Sequence, residues 1–157
     1  MMLIILDKNP YKSAELVPDR LKFKQLLELG QLICSAGISN IFKPIKQGKV
    51  LQEWVKNNIE WIEKFYRELY KWCLIHINMK DVTHVKLTKI WRDILNFPID
   101  WRCGHQPATV IFRYIKGYTE FTKYKSDSEL PINIAVKEYQ KYIKYKEEEY
   151  NKKRGKQ

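Results

Sequence analysis

The sequence predicts an all-α, single-domain, compact helical bundle of about five helices with a short extended segment at its start. Three observations predict it. Apolar residues recur at three- and four-residue intervals over most of the 157 positions. Trp54, Trp61, Phe65, Leu69 and Trp72 hold one helical face over several turns. Turn-forming residues gather between these stretches, at Pro10, Pro18, Gly37, Pro44, Gly48, Pro98, Gly104 and Pro131. A hydrophobic share of 45% is enough to bury one core at this length. Residues 1–150 read as the domain, and residues 151–157 as a charged tail that frays.

The elements follow in order. Met1 to Leu6 is apolar and extended, and Asp7, Asn9 and Pro10 close it as turn formers. Pro18 opens a helix over Asp19 to Ser35, with Phe23, Leu26, Leu27 and Ile33 on an apolar arc. Gly37 to Gly48 is a basic loop containing Lys43 and Lys46, with Lys49 just beyond, and it suits phosphate contact. The second helix runs from about Val50 to Ile77, its seam adding Asn58 and His76 to the aromatic stripe. Asp81 or Thr83 caps a third helix over His84 to Leu95, which buries Leu87, Ile90, Trp91 and Ile94. Phe97 to Gln106 is irregular. Pro107 starts a fourth helix with Val110, Ile111, Tyr114 and Tyr118 inward and Arg113, Lys116 and Lys123 outward. Ser126 to Glu129 links it to a fifth helix opened by Pro131.

Charge narrows the partners. Lys and Arg number 29 against 18 acids, a formal net charge of +11, so the expected partner is a phosphate backbone, an anionic membrane surface or an acidic protein. Nucleic acid leads, because aromatic residues, 13% of the chain, are interleaved with the basic ones. No apolar run approaches the roughly 18 residues of a membrane span, and the apolar start is too short for a signal core. The three cysteines, Cys34, Cys73 and Cys103, are odd in number and far apart, which fits a reducing, intracellular compartment. A monomer that needs neither metal nor cofactor is expected.

Glu28 is the leading catalytic candidate, a single carboxylate flanked at helical spacing by Lys24 and Gln31. Such a group stabilises the cationic sugar through which an N-glycosidic bond breaks, or moves a proton there. The alternative reading is a surface ion pair with Lys24, four residues earlier. Arg20, Lys22, Lys24, Lys46, Lys49, Arg102 and Arg113 are candidates for phosphate contacts, and Trp101 beside Arg102 suits either a stacked base or a satellite core contact. Cys73 with His76 and Cys103 with His105 are spaced poorly for one zinc ion, so no metal site is expected. His76 tips the aromatic seam, and His84 belongs to a helix start. Asn58, an amide between Trp54 and Trp61, anchors a buried network or faces a pocket.

Glu28, nine residues after Asp19, resembles the first-helix glutamate of the phage pyrimidine-dimer DNA glycosylases, the endonuclease V family. Gly48-Lys49-Val50 and the long helix ending in Asn78-Met79-Lys80-Asp81 are similar to that family's glycine, long helix and Asn-Ile-Lys-Asp sequence. Leu6-Asp7-Lys8-Asn9-Pro10, with Gln31 and the Trp54, Asn58, Trp61 set, resembles small phage-encoded relatives. The resemblance implies an all-α glycosylase whose terminal α-amine forms a Schiff base with the sugar C1′, with Glu28 assisting glycosyl cleavage and strand scission. Met1 would supply the amine, since a bulky second residue, Met2, keeps the initiator attached. Leu3, Leu27 and Gln31 stand where the family places arginines, and Leu21 where it places a histidine. A non-catalytic viral DNA-binding or inhibitor protein on the same scaffold is the alternative these departures favour.

Overall fold

The computed structural model describes residues 3–45, 48–99, 107–113 and 122–155. Asn9 starts a helix: its side-chain oxygen accepts from the amides of Tyr11 and Lys12 at 2.9 and 3.1 Å. Pro10 follows at the first helical position, where a missing N–H costs nothing, and α1 runs Pro10–Leu16. The turn expected around Asn9 and Pro10 is thus a helix start. After the extended pair Val17 and Pro18, α2 covers Asp19–Ser35.

The single helix expected from Val50 to Ile77 is two, α3 at Lys49–Asn57 and α4 at Ile59–His76. Asn58 breaks it. Its backbone leaves helical geometry (φ −120°, ψ 26°), and its side-chain amide donates to the Trp54 carbonyl at 2.8 Å, competing with the regular ladder. The next helix, α5, spans Asp81–Leu95; Lys80 stands at its cap, and Asp81 lies inside the first turn.

Among the described residues, the fourth helix expected from Pro107 gives way to a strand, and Tyr114, Lys116 and Tyr118, which it was expected to carry, lie outside the described residues. Thr109–Phe112 forms a strand, β1, paired antiparallel with β2 at Ser128–Pro131, in a register that sets Val110 against Leu130 and Phe112 against Ser128. Val110, Ile111 and Phe112 are all buried, and a short continuous apolar run of β-branched and aromatic residues suits a strand covered on both faces. Ser128 and Glu129 of the stretch read as a linker therefore enter the sheet, and Pro131 ends β2 where a helix start was expected. The last helix, α6, spans Ile132–Gly155, so residues 151–155 are helical. With six helices and a two-stranded sheet among the described residues, the fold is mainly α and not purely so. No helix among them is long and apolar enough to cross a membrane.

Helix α4 is the spine. Its Ile62, Phe65, Tyr66 and Leu69 are completely buried, and α1, α2 and α5 pack around it. Buried aromatics place their polar tips on backbone carbonyls: Trp61 donates to Lys8 at 2.7 Å, Tyr66 to Leu87 at 2.6 Å, and Trp54 to Thr109 at 2.8 Å. The extended segment Leu3 to Leu6 is buried too. The Ile4 amide donates to Gln25 Oε1 (3.1 Å) and the Leu6 amide to Ser13 Oγ (3.0 Å), while the Leu6 carbonyl accepts from Gln140 Nε2 (3.3 Å). Helices α1, α2 and α6 thus hold this segment through its own backbone groups.

Candidate functional site

Helix α2 turns Lys22, Leu26, Leu29 and Ile33 into the core, which leaves its flanks to carry polar groups. Gln25 and Glu28, three residues apart, share one flank. Gln25 is buried and grips the Ile4 amide. Glu28, one turn on, is half-buried, and its carboxylate makes no hydrogen bond or ion pair among the described residues. Lys24 is exposed and does not pair with it. The surface ion pair that helical spacing allows is not formed. Elsewhere that spacing is used, as in Lys64 with Glu60 at 3.4 Å and Arg67 with Glu63 at 3.6 Å.

Three of the expected phosphate contacts are engaged within the protein. Lys22 is 5% exposed, and its ammonium donates to the carbonyls of Glu15 (3.2 Å) and Val17 (2.8 Å) and to Asp19 Oδ1 (2.8 Å). It closes the C-terminal end of α1, so it is removed from the set of surface cations. The same ammonium holds the Asp19 carboxyl below the usual carboxylate range. Arg20 pairs with Glu147 at 2.6 Å and lies 4.0 Å from the centre of the Tyr150 ring, tying α6 to the start of α2. Arg113 pairs with Asp127 at 2.9 Å beside the strand turn, where Asp127 adopts φ 69°. Lys24 and Lys49 are exposed and carry no partner among the described residues. Met1, Lys46, Trp101, Arg102, Cys103 and His105 lie outside the described residues.

Two clefts open beside α2. One, of about 420 Å³, lies between Phe23, Leu27, Phe42 and the start of α5; the other, of about 550 Å³, lies between Asp19, Lys22, Tyr11 and Trp72. Glu28 lines neither. Asn58 is half-buried and donates to the Trp54 carbonyl one turn back, ending α3, and His76 stacks on Trp72 with ring centres 4.6 Å apart. Burial pushes the Cys73 thiol up to about 11, which keeps it protonated and unreactive. Among the described residues, no three His, Cys, Asp or Glu side chains gather as a metal site would require.

Sequence reading missed the buried carboxylates Glu60, Glu63 and Glu138. For the first two the signal was present, since each stands four residues before a cation and one turn from core aromatics. Glu63 accepts from Trp91 Nε1 at 3.2 Å as well. Glu138 pairs by one oxygen with Lys141 at 3.3 Å, while Oε2 is buried with no hydrogen-bond partner. Comparison of the chain with protein-family models, curated proteins and solved structures finds no match in any of the three.

Proposed function

We propose that the protein is a DNA glycosylase that excises a damaged or modified base, with Glu28 as its catalytic carboxylate. The observation that carries this reading is the unpaired state of Glu28: a half-buried acid in a chain of net charge +11 that nevertheless takes no cation within reach on its own helix. A carboxylate left without a partner in a basic protein is available to a positive charge that arrives with the substrate. The sugar of a breaking N-glycosidic bond is such a charge, and a carboxylate beside C1′ stabilises it or deprotonates the incoming nucleophile. Lys24 and Lys49 supply phosphate contacts, and the nucleotide leaves the stack to reach the carboxylate.

The resemblance to the endonuclease V family adds a second step. An α-amine at Met1 attacks C1′, the base departs, and the resulting Schiff base permits strand scission by elimination. Gln25 supports this arrangement, because it fastens the segment leading from residue 1 to the turn of α2 that precedes Glu28.

The test is incubation with duplexes carrying damaged or modified bases, followed by alkali to reveal abasic sites and, separately, by borohydride to trap a Schiff base. Glu28→Gln is expected to lower base release by at least about 100-fold, the low end of acid-base contributions, with DNA affinity unchanged. Undiminished release in that variant overturns the proposal. A missing borohydride adduct removes the lyase step alone. Salt-sensitive binding without base release, indifferent to Glu28→Gln, identifies the non-catalytic DNA-binding protein instead.

A further inference from the structure

A cleft of about 210 Å³ lies between α4 and α5, away from the Glu28 flank of α2. Trp91 and Leu74 line it, together with Arg67 and Lys71. Leu74 is 51% exposed, so the apolar wall continues to the surface. A cavity of roughly 150 Å³ accepts a benzene ring, so this one suits a planar ligand of one or two fused rings.

Charge along the lining is balanced. Arg67 faces Glu63 at 3.6 Å, and Lys71 faces Glu68 at 3.5 Å. The cleft therefore selects for neither an anion nor a cation. Its polarity comes from one edge, where the Tyr70 hydroxyl lies 2.6 Å from His84 Nδ1, 2.9 Å from Thr88 Oγ1 and 3.0 Å from the His84 carbonyl. Tyr70 has a single hydroxyl proton to donate. Given to Nδ1, it leaves Nε2 of the neutral imidazole as a donor; given to the carbonyl, with Nδ1–H donating back to the phenol, it leaves Nε2 as an acceptor. Nε2 has no partner among the described residues. The imidazole is held in place by its other nitrogen, with its ring at 82° to Tyr70.

From this juxtaposition of an indole wall, balanced charge and an imidazole edge able to donate or accept, we infer that the α4–α5 cleft binds an uncharged planar heterocycle of the nucleobase type. Trp91 supplies the stacking face, and His84 reads the polar edge. A plain hydrocarbon ring leaves the imidazole edge unpaired and is bound less well.

The test uses the whole chain, labelled with ¹⁵N and titrated with adenine, cytosine or toluene while the His84 ring nitrogens and the Trp91 indole N–H are observed. Adenine or cytosine is expected to produce saturable shifts at both residues. His84→Phe keeps a ring of similar size, and is expected to weaken binding of the base about tenfold while toluene is unaffected. Trp91→Leu, which removes the stacking face, weakens the base about tenfold or more. Absence of saturable shifts with both bases overturns the inference, as does base binding that His84→Phe leaves intact. Toluene binding to the unsubstituted protein as tightly as both bases overturns it without recourse to any variant.

Discussion

Replacing Lys22 by Met tests the reassignment of that side chain from DNA contact to internal clamp. Methionine keeps most of the apolar stem and removes the ammonium. The Val17 carbonyl, in a residue 1% exposed, loses its 2.8 Å donor and has no route to water, while the Glu15 carbonyl belongs to an exposed residue and is rehydrated. One buried acceptor left unsatisfied costs about 1–3 kcal/mol. The bond to Asp19 adds little, because its carboxylate is 76% exposed. Relief from burying an ammonium offsets part of the loss, so the net destabilisation is about 1 kcal/mol. With a urea slope of about 2 kcal/mol per molar, the unfolding midpoint falls by about 0.5 M with the slope unchanged. The acid limb of stability also flattens. Lys22 holds the folded Asp19 below 3.8, so the stability from that pair is whole above this value and disappears as pH falls through the lower folded one. A phosphate contact predicts the opposite pattern, namely unchanged stability and a loss of about 0.9 in the slope of log affinity against log salt. A midpoint within about 0.2 M of the parent, together with that loss of slope, refutes the clamp.

Glu138→Met removes a buried oxygen that has no partner, at the expense of a pair with an exposed lysine worth under about 1 kcal/mol. The expected net gain is about 1 kcal/mol, read as a rise of roughly 2–4 °C in the thermal midpoint, and a fall contradicts the assignment. Cys73, its thiol pushed up to about 11, should resist alkylation at pH 8 until the protein unfolds, which peptide mapping by mass spectrometry will show. Burial raises the phenols of Tyr66 and Tyr139 far above their ordinary value of 10.0. Their contribution to stability is therefore whole below pH 10 and lost as pH rises toward the folded values. An ultraviolet phenolate titration should show these two ionising only with unfolding.

The aromatic seam was legible in the sequence because Trp61, Phe65, Leu69 and Trp72 fall where α4 needs apolar groups, and Trp54 where α3 needs one. The break inside it was not, because Asn58 fits the same three- and four-residue spacing and reveals itself only by donating to the Trp54 carbonyl. Periodicity was equally silent about β1, since Thr109 to Phe112 is too short to tell a buried strand from a buried turn of helix, and its pairing partner lies some twenty residues on. Lys22 was a different kind of miss. It stands four, seven and eleven residues before Leu26, Leu29 and Ile33, squarely on the buried arc, so its position argued for burial while its charge argued for the surface. The identity of Glu28 as an acid beside Lys24 was plain from spacing. That the two do not pair was not, because an i,i+4 arrangement permits an ion pair without requiring one.

The partition of cations bears on how DNA would be held. Arg20, Lys22 and Arg113 each stabilise a specific join, α6 to α2, α1 to α2, and the strand turn, so the excess positive charge that remains for a polyanion resides on residues such as Lys24 and Lys49. Free surface lysines attract phosphate as solvated point charges and do not impose the planar, bidentate geometry of arginine. Binding built on them is strongly salt-dependent and weakly discriminating. On the proposed function, selectivity for a substrate base would then arise where the nucleotide leaves the stack, with Glu28, which has no partner among the described residues, facing its sugar.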